Sequence, residues 1–419
     1  MCYLHITCKG GGSVSTTTFE INPATRIEGH AKIVLETNEE DIIENAYFMS
    51  TSMVRGFEYL VRGRHYNFAT LVTQRICGIC PIPHGLASAE AIEDAMGVTP
   101  PRNAMLLREL LLLANKIQSH ALHQYLILPD LPADEAVRAE MTERIQEIRR
   151  LSQKIVDTVG GEAIHPSNIE VGGMRAPITA YAAAMLYRVL RKCERLVKIQ
   201  RDDMMALLEK MSEESEHPMG RYREAMLATD MTYGNRERFD LSAITEITPY
   251  RFYQEHEPGK ETHIMIPLYY GETVEVGPRA RFSHFKGFRG ETPIDINIAR
   301  AREMMIMVYR AVEILDDLSP TAPTRADVVV RKGSGIGVVE APRGTNAHMV
   351  SVDDSGTITA YNMIVPTTWN MPTVERALRG NHHSLAEFIV RSYDPCVECA
   401  THCIEVRDLD GNVTERRMM

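Results

Sequence analysis

The sequence has 419 residues, of which 44% are hydrophobic and 24% are charged, as in an ordinary globular protein. Its formal net charge of −10 argues against nucleic-acid binding, because phosphate groups need a basic surface. The longest apolar run, residues 104–114, contains Arg108 and Glu109 and is too short to cross a membrane.

The first predicted elements are strands. Hydrophobic residues alternate with polar ones in stretches between residues 17 and 49, which predicts a small β-region. Residues 1–15 follow no such pattern, and we expect them to be disordered. They also lack the basic start and continuous apolar stretch of a secretory signal, so we expect a cytoplasmic protein.

Helical periodicity dominates the centre of the chain. Hydrophobic residues recur at three- and four-residue spacing in the segments 53–61, 85–96, 102–126, 133–158, 177–213 and 294–318. Residues 215–292 predict an irregular α+β region, and residues 326–364 predict short strands with a hairpin turn at 353–356. We therefore predict a single α+β domain over residues 16–402, mainly helical, with a central long-helix bundle and small peripheral β-sheets.

Four of the eight cysteines form two Cys-x-x-Cys pairs, a spacing that lets two thiolates bind one metal. The pairs are Cys77 with Cys80 and Cys396 with Cys399. If they share one site, opposite ends of the chain meet in the core. Soft thiolates suit zinc, iron-sulfur clusters or nickel and iron, so the spacing alone leaves a structural zinc site open at about even odds.

The residues around these cysteines resemble the signature motifs of nickel-iron hydrogenase large subunits. The first motif is RICGIC at residues 75–80, followed by His84, and the second is DPCVECATH at residues 394–402. Other matching segments follow the expected order: TRIEGH at 25–30, RGFE at 55–58, EAPRG at 340–344 and VPTTWN at 365–370.

The resemblance extends from about residue 18 to the end of the sequence. Within the family it is closest to the alpha subunit of archaeal hydrogenases that reduce coenzyme F420. The segments that carry this closer similarity are CPIPHGLAS at 80–88, IHPS at 164–167, VGPRAR at 276–281 and CATH at 399–402.

The resemblance implies a nickel-iron centre in which each cysteine has its own role. Cys77 and Cys396 would be terminal nickel ligands, while Cys80 and Cys399 would bridge nickel to an iron that carries carbon monoxide and cyanide. Cys396 would receive the proton released when dihydrogen is cleaved, and Glu28 would relay it outward. Without the motif, Glu28 would more often be a capping glutamate or a salt-bridge partner of Arg26.

The resemblance also implies a polar environment around the metals. Arg343 and Asp394 would form a buried pair beside the nickel, although an ordinary structural ion pair is the alternative. Pro342 and Thr367 would contact the diatomic ligands of the iron. His84 would form a hydrogen bond near a bridging sulfur, whereas His165 could simply be a core histidine.

A second metal site is implied near the end of the chain. Glu58, His402 and the main-chain carbonyl of Met363 match positions where the family holds magnesium or iron. A lone glutamate such as Glu58 is otherwise more often a surface residue. By the same resemblance, residues 403–419 would be a C-terminal extension that a maturation protease removes after His402. One position departs from the pattern, because Ser119 stands where many uptake hydrogenases have aspartate.

The sequence contains no third cysteine cluster, no dinucleotide-binding fingerprint and no flavin motif. Electrons should therefore leave through partners. The resemblance implies two of them: an iron-sulfur small subunit, and also a flavoprotein subunit with FAD that reduces coenzyme F420. Delivery to heterodisulfide reductase or to NAD(P) is the alternative within the family. A structural zinc protein and a nickel-free relative of respiratory complexes are the alternatives outside it.

Overall fold

The central part of the protein is a bundle of long helices. The structure, a computed structural model, describes residues 3–9, 16–254, 256, 261–403, 405–407, 410, 412 and 413–416. Its α-helices are α1 Phe57–Val61, α2 Asn67–Thr73, α3 Pro81–Met96, α4 Arg102–Ile127, α5 Glu135–Gly160, α6 Ala180–Glu214, α7 Pro249–Phe252, α8 Pro278–Lys286, α9 Pro293–Asp317, α10 Pro366–Leu378, α11 Ala386–Ser392 and α12 Val397–Ala400.

The strands lie at the periphery of this bundle in small sheets. They are β1 Tyr3–Lys9, β2 Thr16–Asn22, β3 Ala31–Thr37, β4 Ile43–Ser50, β5 Ile169–Glu170, β6 Gly173–Met174, β7 Ala225–Leu227, β8 Ile244–Ile247, β9 Ile266–Tyr269, β10 Val274–Val276, β11 Gly333–Ala341, β12 Gly344–Val352, β13 Ile358–Ile364, β14 Glu405–Arg407 and β15 Val413–Arg416. β1 to β4 form one antiparallel sheet, and β11 to β13 form another. The α+β prediction is thus confirmed.

Local sequence signals explain where the long helices begin and end. The Asp134 side chain caps α5 by accepting a hydrogen bond from Val137 N at 2.8 Å. Thr292 and Asp295 form a capping box at the start of α9, where Pro293 occupies the first turn. α5 ends where Gly161 adopts a left-handed conformation with φ of 82°. α3, α4, α5, α6 and α9 then pack their apolar faces into one hydrophobic cluster.

Alternate glycines let β11 lie directly against the backbone of α3. Gly333, Gly335 and Gly337 point the same way, since side chains alternate along a strand. A Cβ atom at Gly337 would lie 2.1 Å from the carbonyl oxygen of Ala87, and one at Gly335 would lie 2.2 Å from the amide nitrogen of Ala95. We call this contact the glycine seam. It fixes the position of α3, whose first residue directly follows Cys80.

We expect Gly337→Ala to lower the free energy of unfolding by about 1–3 kcal/mol, because the added methyl group would overlap backbone atoms that cannot move aside. Displacement of α3 should also lower the nickel content of the purified protein. Denaturant unfolding and metal analysis measure the two effects. Lys332→Ala, an exposed change just before the same strand, is the control and should alter neither quantity.

The structure corrects two predictions made from the sequence. Residues 3–9 are not disordered, because they pair with Thr16–Asn22 as strand β1, while residues 1–2 and 10–15 lie outside the described residues. The helix predicted over 53–61 begins only at Phe57, since Gly56 before it has φ of 60°, a left-handed conformation. Within the described residues, every helix falls short of the length and apolarity needed to span a membrane.

Candidate metal centre

The two Cys-x-x-Cys pairs meet in the core. Cys80 directly precedes α3, and Cys396 directly precedes α12, which contains Cys399. The sulfur of Cys77 lies 3.5 Å from that of Cys396, and the sulfur of Cys80 lies 3.6 Å from that of Cys399. All four sulfurs lie within 4.8 Å of one another, and the four residues are at most 5% exposed. They form one buried cluster from opposite ends of the chain.

The sulfur separations suit a shared soft metal. Two thiolates that bind one ion at about 2.3 Å and a tetrahedral angle lie about 3.8 Å apart. The distances of 3.5 and 3.6 Å across the cluster are close to this value. Contacts with Cys396, Cys399 and Cys80 lower the pKa of the Cys77 thiol, whereas burial raises the pKa of Cys396. This donor set fits a nickel-iron centre.

Glu28 lies directly beside Cys396. The Cys396 thiol donates a hydrogen bond of 2.9 Å to Oε2 of Glu28. The two segments also pair through their backbones, because Glu28 N donates to Pro395 O and Val397 N donates to Glu28 O. Burial raises the pKa of Glu28, and the negative charge of Cys77 raises it further. The glutamate is therefore placed and tuned to exchange a proton with the sulfur.

The neighbours of Glu28 explain why its motif contains glycine. Gly29 has φ of 85°, and a Cβ atom there would lie 2.9 Å from the backbone nitrogen of Glu398. Only glycine lets the two segments approach so closely. Arg26, the alternative salt-bridge partner of Glu28, instead pairs with Asp130 and donates to the carbonyl of Leu126.

Arg343 and Asp394 form a buried ion pair. Nη2 of Arg343 lies 3.0 Å from Oδ1 of Asp394, and Nε donates to the Asp394 carbonyl at 2.5 Å. Burial alone would raise the pKa of Asp394, but the charge of Arg343 outweighs it and holds the pKa below its usual value. Nη1 of Arg343 is buried and has no hydrogen-bond partner among the described residues. It is a free donor for a ligand.

Thr367 and Pro342 also lie next to the cysteines and their ion pair. Thr367 Oγ1, in the first turn of α10, accepts a hydrogen bond of 3.0 Å from Cys396 N. The Pro342 carbonyl accepts a hydrogen bond of 3.1 Å from Nη2 of Arg281, a fully buried arginine that also pairs with Glu303. These contacts hold the segments that carry Cys396 and Arg343 in place.

His84 belongs to a buried chain of polar side chains that the sequence did not reveal. Its Nδ1 lies 3.2 Å from Nε2 of His348, whose Nδ1 lies 2.8 Å from the Tyr361 hydroxyl. Burial lowers the pKa of His84 to about 4, so the ring is neutral. His348 and Tyr361 come from neighbouring strands β12 and β13, and their contact depends on strand pairing. His165 is partly exposed and so is not a core histidine.

Glu58 and His402 form a second polar site. His402 Nδ1 contacts Glu58 Oε1, and both residues are buried. Among the described residues, Glu58 Oε2, His402 Nε2 and Asn362 Oδ1 have no hydrogen-bond partner. Three orphaned ligand atoms in a buried place suit a cation. Asn362 immediately precedes Met363, whose side chain is fully buried.

Glu246 extends this second site and was not predicted from the sequence. It accepts a hydrogen bond of 2.6 Å from Asn362 Nδ2, and burial raises its pKa to about 7. The residue lies in the irregular region before α7, where no periodicity or motif distinguishes one glutamate from another. Only the three-dimensional structure brings it near Glu58 and His402.

Comparison with known proteins identifies the relatives of this chain. The family model described as nickel-dependent hydrogenase matches residues 55–129 and 291–402, and a HoxL-like model matches residues 18–53. The chain is 44% identical to the alpha subunit of coenzyme F420 hydrogenase from Methanocaldococcus jannaschii, over 96% of this chain and 98% of that protein. It is 30% identical to the corresponding subunit of the F420-non-reducing hydrogenase vhu from the same organism, over 86% and 97%.

The fold has equally clear counterparts among solved structures. One is the NiFeSe hydrogenase of Dm. baculatum, which matches with a TM-score of 0.80 and 25% sequence identity. The match covers 92% of this chain and 100% of that one. The two folds are therefore the same over nearly their whole lengths.

Proposed function

The chain belongs to the nickel-dependent hydrogenase family as a large subunit, and from this membership we propose that it passes electrons from dihydrogen to coenzyme F420 through partner subunits. Membership replaces the structural zinc protein as an interpretation of the four cysteines. The observation that carries the choice of acceptor is a comparison within one organism. The F420 hydrogenase of M. jannaschii has an alpha subunit more similar to this chain than its F420-non-reducing counterpart is.

Cys77, Cys80, Cys396 and Cys399 would hold nickel and iron. When bound, the two metals supply the soft centre at which dihydrogen is cleaved heterolytically. Thr367, Pro342 and the free Nη1 donor of Arg343 lie where they could contact carbon monoxide and cyanide on the iron. The charge of Arg343 is balanced by Asp394, so the pair adds a directed donor without a net buried charge.

The proton leaves through the side chains of the protein. Cys396 would hold it on sulfur and pass it to Oε2 of Glu28, 2.9 Å away. A carboxyl group whose pKa is raised can both accept and release a proton near neutral pH. Glu28 is partly exposed, so it links the buried sulfur to the outside.

An acceptor assay on the purified complex tests the proposed function. We expect dihydrogen to reduce coenzyme F420, with loss of the absorbance of the oxidised deazaflavin. Parallel assays use NAD(P) and heterodisulfide reductase as acceptors. A complex that carries Cys399→Ala is the control and should be inactive with every acceptor. Activity with the other acceptors, but none with coenzyme F420, would overturn the choice of acceptor and leave the hydrogenase activity standing.

Partner subunits would dock near the first cysteine pair. α1 and α2 carry exposed apolar side chains there: Tyr59, Leu60, Phe68 and Leu71 are 41–67% exposed. Patches of this kind mark protein interfaces. Because Cys77 follows α2 closely in the chain, an iron-sulfur small subunit on this face would collect electrons near the metals. A flavoprotein with FAD would then reduce coenzyme F420.

The maturation step completes the proposal. Residues 403–419 would be removed after His402 by a protease, which would leave the carboxyl end inside the protein. In support, His402 and Cys403 are both at most 2% exposed. A cytoplasmic location remains a prediction from the sequence.

The second polar site would hold magnesium or iron through Glu58, His402 and the carbonyl of Met363. We expect Glu58→Gln to remove one such ion per chain, because the neutral amide is a much weaker ligand than a carboxylate. Metal analysis of the purified complex measures the loss, and thermal unfolding should occur at a lower temperature. Glu44→Gln, an exposed change on β4, is the control. An unchanged magnesium and iron content in Glu58→Gln would contradict this assignment.

A further inference from the structure

We propose that Asp41, His382 and His383 form a separate surface site for a divalent transition-metal ion of the zinc type. Asp41 lies in the turn between β3 and β4, and the two histidines lie in the loop between α10 and α11. None of these residues takes part in the cysteine centre or in the Glu58 site. The proposal rests on four features: ligand spacing, an orphaned nitrogen, fixed rings and a rigid backbone.

The ligand atoms already lie at metal-binding separations. One carboxylate oxygen of Asp41 and one ring nitrogen of each histidine lie within 4.8 Å of one another. His383 Nδ1 is 3.9 Å from Asp41 Oδ1, which is too long for a hydrogen bond. Two atoms that each lie about 2.1 Å from one ion can be up to about 4.2 Å apart. The gap therefore suits an ion better than a direct contact.

His383 carries the orphaned nitrogen. Its Nδ1 is buried and has no hydrogen-bond partner among the described residues, although the side chain as a whole is 28% exposed. A buried polar atom without a partner is unfavourable, and such atoms are rare in folded proteins. A bound cation would satisfy this nitrogen and the Asp41 carboxylate together.

Both imidazole rings are fixed by their neighbours. His383 stacks on Phe19 with ring centroids 4.4 Å apart, and His382 stacks on His217 with centroids 3.7 Å apart. His382 Nδ1 also lies 2.8 Å from Ser384 Oγ. If Nδ1–H donates to this hydroxyl, Nε2 carries the free lone pair, and such outer hydrogen bonds orient histidine ligands in metal sites.

The backbone holds the two segments together independently of any ion. His383 N donates to Asp41 O at 3.0 Å, and Ile43 N donates to Asn381 O at 2.8 Å. Asp41 itself has φ of 60°, a conformation that aspartate tolerates better than most residues. The site is thus preorganised, so binding an ion requires little ordering of the chain.

The position of the site suggests what an ion would do. Asp41 belongs to the amino-terminal sheet, whereas His382 and His383 precede α11, which leads to Asp394 and Cys396. An ion here would tie the sheet to the segment that carries the second cysteine pair. We therefore expect it to stabilise the assembled large subunit without touching the reacting atoms.

Zinc binding by the assembled complex tests the proposal. The complex is equilibrated with zinc chloride, passed over a chelating resin and analysed for zinc. We expect one zinc ion per large subunit, and at least a tenfold lower zinc content in both His383→Ala and Asp41→Asn. The control is His284→Ala, a change to an exposed histidine on α8, which should keep the zinc. The nickel content of each variant verifies that the cysteine centre has assembled.

X-ray absorption at the zinc edge then identifies the ligands, and nickel and iron do not interfere with it. We expect nitrogen and oxygen neighbours at about 2.0–2.2 Å with imidazole scattering. Zinc that does not survive the resin, zinc that is unchanged in both variants, or a sulfur shell at about 2.3 Å would each overturn the proposal.

Discussion

Replacing Glu28 with glutamine should lower the rate of hydrogen oxidation by about 10²- to 10⁴-fold while the nickel and iron contents stay unchanged. Glutamine keeps the size of the side chain but cannot take a proton from Cys396, whose sulfur lies 2.9 Å from the carboxylate. No cysteine is altered, so the metal centre should still assemble. The loss would therefore report proton transfer rather than folding.

Isotope exchange separates these two possibilities. Wild-type enzyme should exchange deuterium gas with protons of water, and Glu28→Gln should lose this exchange in parallel with hydrogen oxidation. Glu398→Gln is the matched control, because this carboxylate is also close to the site but contacts Ser52 and Arg55 instead of the sulfur. It should lose less than about tenfold. Equal losses in the two variants would contradict a specific role for Glu28.

The second large effect is expected from Arg343→Lys, which should lower activity by at least about 100-fold. Arginine contacts the Asp394 carbonyl through Nε and the carboxylate through Nη2, and it still presents Nη1 as a third donor. Lysine has one compact ammonium group and cannot satisfy three directions at fixed geometry. We therefore expect the pairing with Asp394 to survive and the directed donor to be lost.

Two comparison variants make this experiment interpretable. Arg343→Ala would leave Asp394 buried without its partner, which typically costs about 3–5 kcal/mol, so we expect it to accumulate poorly. Arg391→Lys is the control, since Arg391 is a buried arginine of the same region that pairs with Asp130. It should keep most of the activity. Full activity of Arg343→Lys, measured as turnover per nickel, would exclude the directed donor as a contributor.

Local patterns predicted the long helices well, because their boundaries depend on nearby residues. The segment expected at 294–318 is helix Pro293–Asp317, bounded by the Thr292 capping box. Where a boundary depends on one backbone conformation, the pattern failed, as at Gly56 before α1. Strand β1 was missed because its partner strand, and not its own sequence, determines its pairing.

The candidate site divides in the same way. The cysteine spacing predicted a soft-metal site, but only the motif around Glu28 distinguished that residue from other glutamates. His348 and Glu246 had no signal at all, since each becomes recognisable only through neighbours from distant parts of the chain. A buried polar group is defined by its surroundings, and a single sequence does not contain them.

The 319-residue interval between the two halves of the cysteine cluster has a consequence for biosynthesis. A nascent chain offers one half of the cluster early and the other only when translation is almost complete. Every truncated product that ends before Cys396 has two of the four sulfurs and cannot enclose a binuclear metal core. Cells that load metal only onto four sulfurs would thereby spend no nickel on unfinished protein.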